Sequence, residues 1–279
     1  MPHLLEVRSA LPPPRRRNDL PPLLFVHGAY CDAWCWDLNI LPWFAAAGYE
    51  AHALSLRGHG KSPGREDLES LSLSDYVDDV TQVVGSLSAR PVLIGHSMGA
   101  TLVDRLIAEE AFPAAALICP IPPSGLMASL TRLWWSRPEF FWHAQKLHHG
   151  ALDPVAMNTL REFYFTPNAP PEVLAAAMRH LSPESPRAVM ELAWRGAATE
   201  AAAPGTPLRV FAAGADVLFT AAEAQATAAR HGVDAVVLDD LPHMLMLEPG
   251  WERLAEALDE WIRSAVAVSP ASRRRAPAR

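Results

Sequence analysis

The sequence predicts an α/β fold, a mostly parallel central sheet with helices on both faces and a helical insertion before the last strands. Three observations carry this. Short apolar runs of strand length alternate with stretches of helical periodicity. Most of these runs end in a loop rich in Gly, Asp or His, and Ala114 to Cys119 is closed by Pro120 and Pro122, the punctuation of strands buried on both faces. A long middle segment, from about Gly125 to Pro204, has many aromatics and no clear strand.

Taken in order, Leu23 to Val26 reads as a buried strand opening at His27-Gly28. Leu41 to Ala47 is helical, with Gly48 as its C-cap. Glu50 to Leu56 alternates like a strand and ends at Arg57-Gly58-His59-Gly60. Ser74 is the expected N-cap of the next helix, where Val77, Val80, Val84 and Leu87 form one buried face. Pro91 to Ile94 gives another strand, followed by Gly95-His96-Ser97-Met98-Gly99 and a helix bearing Leu102, Val103, Leu106 and Ile107. Ala114 to Cys119 is a further strand. Leu208 to Ala212, Ala221 to Arg230, Ala235 to Leu238 and Trp251 to Val266 then repeat strand, helix, strand, helix. The expected organisation is a core of residues 1–124 and 205–268, a helical cap over 125–204 broken at its prolines, and a frayed tail at 269–279.

Composition removes several classes. The 279 residues are 50% hydrophobic and 20% charged, a globular balance with one substantial core. A formal charge of −7 gives no electrostatic reason for a nucleic-acid partner. Cys31, Cys35 and Cys119 are too few for a disulfide framework and lack the second pair a zinc site needs, which fits a reducing compartment. The N-terminal residues lack the pattern of a signal peptide, and no apolar run approaches the roughly 20 residues of a membrane span. The expectation is a cytoplasmic protein without stable membrane insertion, monomeric or homodimeric.

The chemistry centres on Ser97. Gly95 to Gly99 matches G-x-S-x-G and lies between a strand and a helix, as a nucleophile elbow requires. The sharp turn strains the serine and sets its hydroxyl at a helix N-terminus, where amides favour developing negative charge. A serine hydroxyl needs a base. His243, in Leu241-Pro242-His243-Met244, follows a late strand and is the choice; His231, beside Gly232 at a helix end, is expected to face solvent. The imidazole needs an acid to fix its tautomer. Asp216, after the strand at Leu208 to Ala212, fills that role and gives the chain order Ser, Asp, His. The oxyanion donors are expected to be the amides of Met98 and Ala29, with Tyr30 in reserve. His27 and His59 are read as structural, and the adjacent His148-His149 as an exposed pair without metal. Gly60-Lys61-Ser62 has the end of a phosphate loop, but Ser55 stands where the required upstream glycine would be.

On these residues the chain resembles the bacterial α/β-hydrolase superfamily, in its broad lysophospholipase- and esterase-like branch. The matching pieces are His27-Gly28-Ala29 with Trp34 and Trp36, Leu56 to Gly60, Gly95 to Gly99, Gly214 to Asp216, Pro242-His243-Met244 and Leu247 to Trp251. The resemblance implies an α/β-hydrolase fold with an inserted helical cap and a serine acyl mechanism without metal or organic cofactor. Epoxide hydrolases and haloalkane dehalogenases place an aspartate at the elbow, where this chain has Ser97. Plant-type hydroxynitrile lyases typically follow the histidine with lysine, where this chain has Met244.

The expected activity is hydrolysis of a carboxylic ester, lactone or thioester through an acyl-enzyme on Ser97. The alternative on the same scaffold is non-hydrolytic: cofactor-free oxygenation, C–C cleavage or cyclisation. A binding protein would not need an ordered Ser, Asp and His. The aromatic cap points to a small-molecule substrate with an apolar acyl or aryl group. Tyr30, Trp134, Trp135, Phe163 and Phe165 are the expected contacts.

Overall fold

The computed structural model describes residues 4–148, 153–195, 202 and 205–268. The expected tail at 269–279, His149 and parts of the expected cap lie outside them. In chain order the elements are β1 (Val7–Ala10), β2 (Leu23–Val26), α1 (Trp34–Asp37), α2 (Ile40–Ala46), β3 (Ala51–Leu54), α3 (Leu73–Ser86), β4 (Val92–His96), α4 (Met98–Glu109) and β5 (Ala115–Ile118). Five helices follow: α5 (Met127–Ser136), α6 (Glu139–His148), α7 (Pro154–Tyr164), α8 (Pro171–His180) and α9 (Pro186–Arg195). The chain ends with β6 (Leu208–Ala213), α10 (Ala221–Arg230), β7 (Ala235–Leu238) and α11 (Glu252–Val268).

The seven strands form one sheet in the order β1-β3-β2-β4-β5-β6-β7, parallel except for β1 at the edge. Alternate residues serve opposite faces, as a two-residue period demands. Leu24, Val26, Leu93 and Leu117 pack with Val80 of α3 and Leu102 and Leu106 of α4. Leu23, Phe25, Ile94 and Ile118 pack with Trp36, Phe44 of α2 and Leu258 and Ile262 of α11. β2 has neighbours β3 and β4 on its two sides, so the connections diverge there. Loops leaving the carboxyl ends at such a switch point flank a crevice.

Several local expectations need correction. The N-cap of α3 is Ser72, not Ser74: its hydroxyl accepts from the Asp75 amide while Asp75 accepts from the Ser72 amide at 2.8 Å, a reciprocal box that Ser74 cannot make. β1 has no counterpart in the apolar pattern, because its four residues are only half-buried or exposed. In the insertion, Pro154 and Pro171 start α7 and α8, the position where a missing N–H costs nothing. His231 is not solvent-facing: its side chain is 2% exposed, and Nε2 lies 2.9 Å from buried Asp104 on α4.

Candidate active site

The elbow is built by close backbone approach. Ser97, between β4 and α4, has φ 54° and ψ −118°, and its amide donates to the Ile118 carbonyl at 2.9 Å. A Cβ on Gly95 would lie 2.3 Å from the Gly99 carbonyl oxygen, and one on Gly99 would lie 2.4 Å from that of Val26. Only glycine lets α4 start this tightly against β2 and β4.

Asp216 and His243 come from loops after β6 and β7. His243 Nδ1 donates to Asp216 Oδ2 at 2.7 Å, with both side chains at most 3% exposed. The other oxygen, Asp216 Oδ1, accepts the amides of Leu218 at 2.8 Å and Phe219 at 3.0 Å. The carboxylate is therefore fixed in rotation, and the proton on His243 Nδ1 leaves Nε2 free to accept. Ser97 and His243 line one cavity of about 380 Å³. No hydrogen bond joins their side chains in the resting protein, a gap common before substrate closes a site.

His96, next to the serine, donates from Nε2 to the His243 carbonyl at 2.9 Å. Burial, then the nearby His243 ring, keep it neutral by pushing its pKa well below 6.5. His96, Cys119 and His243 each bring a donor atom within 4.8 Å of one another. Of these, His96 Nε2 is bonded to the His243 carbonyl and His243 Nδ1 to Asp216.

The loop after β2 lies against the elbow. A Cβ on Gly28 would sit 2.9 Å from Ser97 Cβ. His27 Nδ1 donates to the Gly28 carbonyl at 2.8 Å, and its Nε2 accepts the Leu56 amide at 3.1 Å. That pair of bonds requires a neutral ring, in accord with a pKa lowered to about 4 by burial and by the neighbouring His59. Because the Gly28–Ala29 peptide is planar, holding the carbonyl also aims the Ala29 amide. The Tyr30 amide instead donates to Glu184 Oε2 at 3.3 Å.

Glu184 is a residue that motif reasoning missed. It lies between Pro183 and Pro186, after α8, and is fully buried. It accepts from His59 Nε2 at 3.2 Å, Tyr76 Oη at 2.7 Å and the Ser185 amide at 2.8 Å. His59 Nδ1 faces the Arg57 carbonyl at 3.1 Å, so both ring nitrogens meet acceptors and the imidazolium fits the site. Burial opposes charge on both partners. The Glu184 carboxylate nevertheless holds the His59 pKa above 6.5, and His59 with Tyr76 and the Ser185 amide holds Glu184 down to about 2. The Glu184 contribution to stability is present above pH 4.5 and lost as pH falls toward 2, while the His59 contribution is present below 6.5 and lost as pH rises through its raised value. Glu184→Gln is expected to lower the melting temperature at about pH 6, with the gap from wild type narrowing at about pH 3. A gap of constant size across that range would show that the pair is not ionised.

The expected substrate contacts divide. Tyr30 lines the main cavity and also a smaller apolar cleft of about 40 Å³ that shares Ala29, Cys31, Tyr164 and Met244 with it. Phe165 lines the smaller cleft. Phe163 packs on Phe140 at a centroid distance of 4.6 Å and lines neither space. Trp134 and Trp135, 55% and 82% exposed, do not line the cavity, although Trp134 packs on the cavity residue Phe141 at a centroid distance of 5.2 Å. The inward face of α5 is Ser129, Leu130 and Leu133, and Trp135 sits about 200° around the helix from Leu133 at 3.6 residues per turn. Phe140, Phe141, Leu218 and Phe219 complete the apolar wall. The helical period, followed through Leu126, Leu130 and Leu133, was the signal that could have found this face.

A family model described as the alpha/beta hydrolase family matches residues 23–257. Among curated proteins, the chain is 30% identical over 170 residues to a probable esterase PIR7A of Oryza sativa subsp. indica, covering 57% of this chain and 60% of that one. It is 30% identical over 165 residues to methyl jasmonate esterase 1 of Vitis vinifera, with the same coverages of 57% and 60%. The match thus spans about three fifths of the length of these relatives. Among solved structures, a thermophilic esterase from Thermogutta terrifontis superposes with a TM-score of 0.70 at 20% identity, covering 94% of this chain and 93% of that one.

Proposed function

The chain belongs to the alpha/beta hydrolase family, and from that premise we propose that it is a serine hydrolase acting on a carboxylic ester, lactone or thioester. The observation that carries this reading is the Asp216–His243 pair, oriented toward the cavity into which strained Ser97 also faces. His243 Nε2 takes the proton of Ser97 as Oγ attacks the carbonyl carbon. The oxyanion is held by the amides of Met98, first in α4 and without an internal helix partner, and Ala29. The alcohol or thiol leaves with the proton from His243, and water activated by the same ring releases the acid.

The substrate class follows from the walls. Apart from Ser97, His96, His243 and the hydroxyls of Tyr30, Ser129 and Tyr164, the main cavity is lined, among the described residues, by apolar side chains and by no carboxylate, lysine or arginine. An apolar acyl group fits, and a charged one would lose its hydration without compensation. The esterase names of the relatives support an ester as the substrate. At about 380 Å³ the space is at the lower end for a pocket enclosing a small molecule. Among p-nitrophenyl esters from acetate to palmitate, kcat/KM is expected to peak at acyl chains of about four to eight carbons. A rate that climbs steadily to palmitate would mean that the chain lies outside this cavity. Inertness of the whole series, with Ser97 also unreactive to a fluorophosphonate, would remove the serine acyl mechanism and favour the non-hydrolytic chemistries of the same scaffold.

A further inference from the structure

The loop that aims the Ala29 amide does not hold itself. Gly28 contributes no side chain, and Tyr30 has φ 62°, a left-handed conformation that a non-glycine residue keeps only when its surroundings over-determine it. The surroundings come from the segment that leaves α8. The Ser182 amide donates to the Tyr30 carbonyl at 3.2 Å, and Glu184 Oε2 accepts the Tyr30 amide at 3.3 Å. Two residues before Ser182, at the end of α8, His180 Nδ1 lies 2.9 Å from Asp32 Oδ2, and its ring stacks on Trp34 at 4.5 Å with an interplanar angle of 4°. Three successive peptide groups of the loop are thus held: Gly28–Ala29 by His27 from the core, and the two flanking Tyr30 from the inserted helices.

We propose that Ser182 and Glu184 are positioning residues for the oxyanion site, clamping both peptide groups of Tyr30 so that the inserted helices complete the catalytic geometry. The proposal rests on the serine acyl-transfer reading above. Its strongest support is the placement of Glu184. A fully buried ion pair such as Glu184–His59 is a poor way to gain net stability, since replacing both partners by apolar side chains of similar volume often serves as well. What a carboxylate supplies here is a directed acceptor for four donors at once, and one of those donors is the amide of strained Tyr30. The clamp makes docking of the 180–185 segment and competence of the oxyanion site a single event.

The test compares wild type, Glu184→Gln and Ser182→Pro, with Ser97→Ala as the blank. Ser182→Pro deletes the N–H together with a buried hydroxyl that makes no hydrogen bond, and Leu181 already has φ −63° and ψ 132°, the backbone a following proline requires. The readouts are the rate at which an alkyl fluorophosphonate labels Ser97, kcat and KM for p-nitrophenyl butyrate, and the melting temperature. Displacing an oxyanion donor should cost less than the roughly 100-fold of deleting one. Each folded variant is expected to label and turn over about tenfold more slowly, with KM within about twofold of wild type. A merely structural role would lower the melting temperature and leave labelling and kcat unchanged in folded protein, and that result in either variant overturns the clamp. If Glu184→Gln does not fold, Ser182→Pro alone decides. Wild type that fails to label would instead refute the serine reading itself.

Discussion

Ser97→Ala is expected to lower turnover of p-nitrophenyl butyrate by about 10⁶-fold, the scale on which removal of an acyl-transfer nucleophile acts. The substitution deletes one hydroxyl and little else. Ser97 is only 9% exposed, its amide remains bonded to Ile118, and the glycines that permit the elbow are untouched. The cavity keeps its apolar walls, so binding of an apolar ester should be preserved while the chemistry is lost. Melting temperature and affinity for a non-hydrolysable apolar ester analogue are the accompanying controls, and both should stay close to wild type. Retention of more than about one-hundredth of the rate would exclude an acyl-enzyme on Ser97. Residual turnover through the oxyanion donors alone would be small but above the aqueous reaction.

The parts of this molecule that were legible in its sequence are those whose physics is local. The bounds of α10 and β7, read from the alternation of strand and helix, are those the structure shows, and a capping box at Thr220 fixes where α10 starts. The G-x-S-x-G turn announces itself because strand, tight turn and helix are consecutive. Ser72 was less visible than Ser74 because the deciding contact is a side-chain bond with Asp75, and both serines stand just ahead of the apolar face. β1 is stabilised by antiparallel pairing with β3, more than forty residues away, and its own residues show no apolar signature. Within α5 direction outweighs size: Trp135 is the larger side chain, but Leu133 is the one the helix turns into the cavity. Glu184 was invisible for a different reason. Its partners Tyr30, His59 and Tyr76 lie 154, 125 and 108 positions away, and nothing around it except the flanking prolines marks it as more than a loop acid.

Asp216→Asn is expected to lower kcat by about 10⁴-fold with the fold intact, for a reason that the hydrogen bonds specify. Oδ1 accepts two amides, from Leu218 and Phe219, whereas Oδ2 accepts from His243. An asparagine in this site keeps its oxygen toward the two amides, because turning its NH2 toward them would set donor against donor. The NH2 then faces His243 Nδ1, which must become an acceptor. The single proton of a neutral imidazole moves to Nε2, the nitrogen that receives the Ser97 proton in the proposed mechanism. The base is therefore disabled without being displaced, and the imidazolium that forms in the transition state also loses its counter-charge. The expected signature is a loss in kcat with KM nearly unchanged, and partial recovery at high pH as hydroxide replaces the missing base. The tautomer can be read directly from the 15N shifts of His243, which should exchange their pattern between wild type and variant. If Asp216→Asn left both the rate and the tautomer unchanged, Asp216 would be a loop-capping residue for Leu218 and Phe219 and nothing more.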